Sequence, residues 1–145
     1  SHLSHKSKLS IVGRAVESVQ KEGFAENERF ERQMGAKSII QEEMEEKGGF
    51  VVEEIAEKIF EDEPELRTPF HDKMEKYNMV KETIEPQSEN TTRKYQSQHL
   101  FTDTGIEIKI PMEQYKNPKC VEFITNPDGT VSVLIKNIEH LEAKI

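Results

Sequence analysis

The spacing of apolar residues changes once along this chain, and this change limits the possible folds more than any other feature. Up to residue 83, apolar side chains recur every three or four positions, which is the period of an amphipathic α-helix. Beyond residue 93 they alternate with polar side chains, most clearly at Ile106, Ile108 and Ile110, which is the period of a half-buried β-strand. The chain is therefore predicted to be α+β, with about four helices followed by a small antiparallel β-sheet of three to four strands.

Helix-capping residues accompany the segments that carry the helical period. The predicted helices cover 4–21, 26–47, 50–61 and a part of 64–82. The first is expected to be capped by Ser4, Ser7 or Ser10, since serine side chains satisfy free backbone N–H groups. In the last, Thr68 is expected to be the cap, with Pro69 at the first helical position. A glycine pair at 48–49 predicts the end of the second helix.

The region between the two periods is polar and predicts a boundary. We expect a helical region at 1–83, a polar linker at 84–93 and a β-hairpin region at 94–145 that packs on the helices. A small sheet is only marginally stable alone. We therefore expect a helix to bury the face formed by the strand residues Ile106, Ile108, Ile110, Val131, Val133 and Ile135.

The motif Asn126-Pro127-Asp128-Gly129 lies between two alternating segments and predicts a hairpin turn. Proline presets φ for the first central position, aspartate suits the second, and glycine supplies a positive φ. Asp103-Thr104-Gly105 predicts a second turn by the same reasoning, through Asp103 and Gly105. We interpret these residues as structural and not catalytic.

The charge distribution restricts where nucleic acid could bind. The net charge is −8, and residues 26–65 hold 14 acidic and 5 basic residues. A nucleic-acid-binding protein normally carries a basic face, so the sequence predicts at most a local one. The candidate phosphate contacts are Lys6, Lys8, Arg14, Arg93, Lys94, Lys109 and Lys136. On the first helix, Lys6, Arg14 and Lys21 are expected at different helical phases, so one basic stripe is not predicted. Lys136 alternatively blocks pairing at a sheet edge.

Several other kinds of site are not predicted. The single cysteine, Cys120, cannot form an internal disulfide and is expected to be inert, which favours a reducing compartment. The histidines are scattered, so no metal site is predicted, and no glycine-rich loop indicates a cofactor. The acidic run 41–47 is expected to be a solvated helix face. No apolar run approaches the length of about 20 residues that a membrane span requires. The start at Ser1-His2, without methionine, predicts a fragment of a longer protein.

Residues 102–138 resemble a known family. The features are Asp103-Thr104-Gly105 before the strand at 106–111, followed by the segments 121–124, 126–130 and 135–138. In this order they resemble the C-terminal signature of the NdpA/YejK family of bacterial nucleoid-associated proteins, and residues 50–62 fit the family layout more loosely. Members of that family are longer, so the resemblance implies a C-terminal portion whose N-terminal half is absent.

The resemblance implies a cytoplasmic, non-enzymatic protein of the nucleoid that contributes to DNA association. DNA contact is then expected in this chain, in the absent N-terminal half, or on a basic face assembled by a homodimer. The alternative is an acidic interaction or dimerisation module that binds a DNA enzyme such as a topoisomerase and does not touch DNA. A hydrolase with a carboxylate-bound metal is a third reading. The sequence leaves DNA preference, partner and oligomeric state open.

Overall fold

The computed structural model describes residues 3–86 and 88–145. Ser1 and His2, on which the fragment prediction depends, and Gln87 of the predicted linker lie outside the described residues. The chain divides into two compact units, Ser1–Gln96 and Ser97–Ile145, which we call the helical unit and the hairpin unit. The predicted division at 84–93 stays a prediction.

The helical unit contains most of the helices and one small sheet. Its elements are α1 (His5–Gly23), α2 (Glu26–Lys47), β1 (Phe50–Val51), α3 (Val52–Ile59), a 3₁₀ turn (Pro64–Leu66), α4 (Arg67–Lys76), β2 (Thr83–Ile84), α5 (Glu89–Thr92) and a 3₁₀ turn (Arg93–Gln96). Within the predicted linker, residue 84 is therefore a strand residue, and residues 89–92 are helical.

The hairpin unit contains two separate hairpins and one short helix. Its elements are β3 (Ser97–Phe101), β4 (Glu107–Pro111), α6 (Met112–Tyr115), β5 (Val121–Thr125) and β6 (Val131–Ile135). β3 pairs with β4 and β5 pairs with β6, both antiparallel. The predicted α+β class is confirmed. The predicted counts were wrong in detail, because the described residues form six α-helices and three two-stranded sheets.

The first two helices follow the predicted pattern closely. Ser4 is the N-cap of α1, and its hydroxyl oxygen accepts a hydrogen bond from the Ser7 backbone N–H at 3.1 Å. α2 ends at Lys47, and its C-cap is Gly48, which has a φ of 74° that favours glycine. The apolar stripe of α1 is buried at Leu9, Val12, Val16 and Val19. The 3.6-residue period therefore identified the core-facing side of α1 correctly.

The third predicted helix was wrong at its start. Phe50 and Val51 form β1 and pair with Ile84 and Thr83 of β2. A short apolar run does not by itself distinguish a strand from a buried helix. Here the decision comes from the distant partner strand. Gly49 makes room for it, since a Cβ at this position would lie 2.2 Å from the Ile84 carbonyl oxygen.

The fourth predicted helix was wrong at its start. α4 begins at Arg67, so Thr68 and Pro69 lie inside its first turn. Proline is compatible with that turn because the first backbone N–H groups of a helix have no partner within the helix. The helix ends at Lys76, shortly before Asn78, whose φ of 54° is left-handed. Tyr77, the residue directly after α4, is exposed.

The main core lies in the helical unit. Phe60 and Phe70 are both 1% exposed, and their ring centroids are 5.7 Å apart. α1, α2, α3 and α4 together with β1 and β2 supply nearly all of the other core residues. This packed core fixes the relative positions of α1 and α2, which carry the candidate site.

The hairpin unit buries far less. Ile110, Met112 and Val121 are buried, but Val131 and Ile135 are 40% and 55% exposed. The expected burial of the strand face was therefore wrong at Val131 and Ile135, and also at Ile106, which is exposed. Alternation identifies which residues share a side of a strand, but it does not show whether anything covers that side.

Candidate nucleic-acid interface

α1 and α2 form an antiparallel hairpin that brings basic residues of both helices together. α1 ends at Gly23 and α2 begins at Glu26. The hairpin is fastened by Gln20, whose side-chain amide donates a hydrogen bond to the Arg32 carbonyl oxygen at 3.0 Å. Residues early in α2 therefore lie beside residues late in α1.

Arg14 and Lys21 share one face of α1. They are seven residues apart in one continuous helix, so their directions differ by only about 20°. Both line the same groove between α1 and α2. The expectation that basic residues of this helix point in different directions was wrong for these two.

The groove has a volume of about 630 Å³. Its lining residues come from both helices: Arg14, Glu17, Ser18, Lys21, Glu26, Arg29, Phe30 and Gln33. Arg29 is fixed at the hairpin end, where its Nη2 donates to the carbonyl oxygens of Lys21 at 3.2 Å and Phe24 at 3.3 Å. Its Nε is buried and has no hydrogen-bond partner among the described residues. Three guanidinium or ammonium groups thus line one groove.

Two further lysines extend this basic surface. Lys37 follows Gln33 by one helical turn and is half-buried. Burial lowers the pKa of Lys37, and the neighbouring charge of Lys94 lowers it further, whereas Glu17 opposes this change. The charges of Lys94 and Glu17 therefore both act on Lys37. We call Arg14, Lys21, Arg29, Lys37 and Lys94 the basic strip.

Tyr95 anchors the 3₁₀ turn that carries Lys94. The ring of Tyr95 is buried, and burial together with the charge of Glu17 raises its pKa to about 12. A Cβ at position 13 would lie 3.1 Å from the Tyr95 hydroxyl, so Gly13 permits this close approach. The Lys94 Nζ lies 5.5 Å from the centroid of the Tyr95 ring.

The seven predicted phosphate contacts differ in their surroundings. Arg14 and Lys94 belong to the basic strip, and Lys6 and Arg93 are exposed residues of the helical unit. Lys8 is buried and pairs with Glu82, a hydrogen bond that lowers the pKa of the Glu82 carboxyl. The structure thus gives Lys8 a structural partner.

Two predicted contacts lie in the hairpin unit. Lys109 is exposed on β4 opposite His99. Lys136 is half-buried, and its Nζ lies 3.2 Å from the Glu122 carboxylate. The sequence-based candidates did not include three basic residues of the strip, namely Lys21, Arg29 and Lys37. Their spacing in the sequence could have indicated that they lie near one another. Arg29 and Lys37 are eight residues apart on α2, but the acidic composition of 26–65 concealed them.

The predicted turn residues form the turns of the two hairpins. The Gly129 N–H donates to the Asn126 carbonyl oxygen at 2.9 Å, and Gly129 has a φ of 86°. Asp128 accepts hydrogen bonds from the Thr130 side chain and N–H, which lower the pKa of its carboxyl. Between β3 and β4, Gly105 has a φ of 88°. These contacts account for Asp128 without a catalytic role.

One side-chain group has the composition of a metal site. His71, Asp72 and Glu75 of α4 are exposed, and their ligand atoms lie within 4.8 Å of one another. Sequence reasoning did not anticipate this group.

The Cys120 Sγ lies 3.2 Å from the Gln114 Oε1. No described helix is both long and apolar enough to cross a membrane.

Comparison with known proteins identifies the family. The family model described as nucleoid-associated protein YejK matches residues 11–142. The match therefore includes the helical segments as well as the C-terminal block in which the resemblance is most evident. Neither the comparison with curated proteins nor the comparison with solved structures gives a match. Because the matched residues make up most of the chain, the protein belongs to the family of the nucleoid-associated protein YejK.

Proposed function

We propose that this chain binds DNA through the basic strip and contributes, without catalysis, to an association with the nucleoid in the cytoplasm. The observation that carries the proposal is the groove between α1 and α2, which is lined by Arg14 and Lys21 from one helix and by Arg29 from the other. The charge of Lys94, in the 3₁₀ turn Arg93–Gln96, lowers the pKa of Lys37 on α2 and adds to this local positive charge. Phosphate contacts by lysine and arginine supply most of non-specific DNA affinity. The family to which the chain belongs supports this function.

The acidic surface around the strip supports a defined direction of approach. The exposed side of α2 carries many carboxylates, namely Glu28, Glu31, Glu42, Glu45 and Glu46. These carboxylates repel the phosphates of DNA, whereas the strip attracts them. DNA is therefore expected to meet the helical unit on the strip and to avoid the outer side of α2.

The test is a titration of a short fluorescent duplex with the protein, followed by anisotropy at several salt concentrations. If Arg14, Lys21, Lys37 and Lys94 each contact one phosphate, affinity should fall about 100-fold between about 50 mM and about 200 mM salt. Replacing Lys21 by alanine should weaken binding and reduce the slope of log K against log salt by about 1. Lys21 is exposed, so its replacement should leave the fold intact.

The matched control is Lys76→Ala. Lys76 is an exposed lysine in the last turn of α4, outside the strip. The Lys76→Ala variant loses the same charge from the same unit, so its slope of log K against log salt should equal that of the unchanged protein. Equal loss in both variants would locate DNA contact outside the strip. An absence of binding at low salt would refute the proposal and favour a chain that meets a DNA-topology enzyme or a second copy of itself.

A further inference from the structure

The outer edge of β6 carries backbone groups that have no partner strand. At the two ends of its pairing with β5, the Asn126 N–H donates to the Thr130 carbonyl oxygen and the Lys136 N–H donates to the Cys120 carbonyl oxygen. Hydrogen-bonded pairs of this kind alternate with pairs whose N–H and C=O groups point away from the neighbouring strand. No third strand joins this sheet in the part of the chain that the structure describes. The groups that point away from β5 belong to three residues: Val131, Val133 and Ile135.

This edge also lacks the side chains that usually prevent pairing between proteins. Strand edges are commonly blocked by charged residues or by proline. β4 has such residues, namely Glu107, Lys109 and Pro111, whereas β6 contains neither a charged residue nor a proline. The nearest lysine, Lys136, follows the strand and pairs with Glu122 of β5. The β6 edge is therefore open to a further strand.

The opposite edge of the same hairpin is partly occupied. The Val121 N–H donates to the Asn117 carbonyl oxygen at 3.3 Å. The ring centroids of Phe123 in β5 and Tyr115 in α6 are 6.1 Å apart. Because the segment that begins with α6 packs against β5, an added strand is expected on β6 instead.

The β6 edge is complementary to a second copy of itself. A two-fold axis repeats the same surface on both partners, so it pairs a strand with its own copy in the antiparallel direction. If Val133 lies opposite Val133 of the second copy, Val131 lies opposite Ile135, and each pair exchanges two hydrogen bonds. Any other two-fold register pairs at most two of the three outward residues with one another. Lys136 then lies opposite Thr130 of the second copy, so like charges do not meet.

Charge and stability both favour this occupant. Residues 97–145 contain 7 acidic and 5 basic residues, so two hairpin units repel each other only weakly. A strongly charged partner finds no complementary surface on β6. Isolated two-stranded sheets are marginally stable, and sheets of three or more strands with an apolar face are more stable. Pairing of two β6 strands turns two such hairpins into one sheet of four strands.

We infer that β6 pairs antiparallel with β6 of a second copy of this chain, centred on Val133, and forms a homodimer with a continuous sheet. The inference goes beyond DNA binding and does not depend on it. β6 lies in the hairpin unit, whereas the basic strip lies in the helical unit.

The first experiment measures molar mass by sedimentation equilibrium over a range of protein concentrations, without DNA. The unchanged protein should approach twice the mass of one chain. Val133→Pro removes the central outward N–H but no hydrogen bond to β5, so it should weaken the dimer about tenfold or more. The matched control is Lys109→Pro. The Thr102 N–H donates to the Ile106 carbonyl oxygen, so the Lys109 N–H also points outward, and this variant should dimerise like the unchanged protein.

The second experiment tests the register by oxidation of single cysteines in a Cys120→Ser background. Two copies of Val133→Cys would have Cα atoms about 5.5 Å apart, which suits a disulfide. Val131→Cys is the control on the same side of the same strand. Its two copies would be offset by four residues, about 13 Å, which is too far for a disulfide. Val133→Cys should therefore form a covalent dimer on a denaturing gel, and Val131→Cys should stay mostly monomeric.

Each outcome decides for or against the β6 pairing. An unchanged protein that is monomeric at every concentration would overturn the inference, as would equal weakening by Val133→Pro and Lys109→Pro. Cross-linking of Val131→Cys as fast as Val133→Cys would overturn the register. The cysteine variants keep every backbone hydrogen-bonding group, so they test the pairing even where proline unfolds the hairpin.

Discussion

The two units treat apolar side chains very differently. In the helical unit, layers of helices enclose a core with residues such as Phe60 and Phe70 almost completely buried. In the hairpin unit, Phe101 is 71% exposed, although it lies in a regular strand. Two-stranded sheets have too little surface to enclose a core by themselves. Regular secondary structure and alternating sequence therefore do not guarantee burial, which requires a second layer.

The strongest test of this difference in burial is to replace one phenylalanine by alanine in each unit. Phe60→Ala removes a ring from the core, so it should reduce the free energy of unfolding by about 3–5 kcal/mol. Phe101→Ala removes an exposed ring and should change it by less than about 0.5 kcal/mol. Urea unfolding followed by circular dichroism measures both. Similar losses in the two variants would mean that Phe101 is covered in solution.

Glycines of the helical unit provide a second comparison, smaller in effect. Gly49→Ala should destabilise the protein by about 1–3 kcal/mol, because its Cβ would meet the Ile84 carbonyl oxygen and force β1 and β2 apart. Gly35→Ala is the control, since nothing lies within 4 Å of its Cβ in α2. Gly35→Ala should stabilise by about 0.5–1 kcal/mol. Thermal unfolding of both variants tests the opposite signs, and two changes of the same sign would contradict the close approach at Gly49.

The hairpin unit has its own sensitive glycine. Gly129→Ala places a side chain at a φ of 86° and should cost about 1–2 kcal/mol, confined to the hairpin of β5 and β6. Hydrogen exchange at residues 121–135 should accelerate, while exchange in α3 stays unchanged. Gly129→Asn is the control, because asparagine adopts this conformation more readily. Equal acceleration in α3 would show that the two units unfold together.

The sequence predicted elements that are specified locally. The extents of α1 and α2, the Ser4 cap and the strands around residues 126–129 follow from periodicity and turn chemistry. β1 was missed because Phe50 pairs with Ile84, a contact that no local pattern contains. The same limit applies to burial at Val131, where a neighbouring layer decides the outcome.

The candidate site was predictable only in part. Arg14 and Lys94 were among the expected phosphate contacts, but their relation depends on how α1 packs beside α2 and the 3₁₀ turn. Lys37 was concealed by the acidic residues around it, since composition averages over all sides of a helix. The basic side of α2 can be told from its acidic side only when the packing of α2 against α1 is known.

The smallest expected change in stability comes from replacing one carboxylate of an ion pair in each unit. Glu43 of α2 is buried and accepts a hydrogen bond from Lys58, which lowers the pKa of its carboxyl below the ordinary value of 4.5. A lowered pKa in the folded state gives stability that is complete above pH 4.5 and is lost as pH falls through the folded pKa. Glu43→Gln should therefore reduce stability at pH 7 and lose its effect in acid. Glu122→Gln, which removes an exposed partner of Lys136, should change stability less at pH 7. Urea unfolding from pH 7 to below 4.5 measures both. A deficit in Glu43→Gln that persists unchanged in acid would contradict the assignment of this stability to the charge of Glu43.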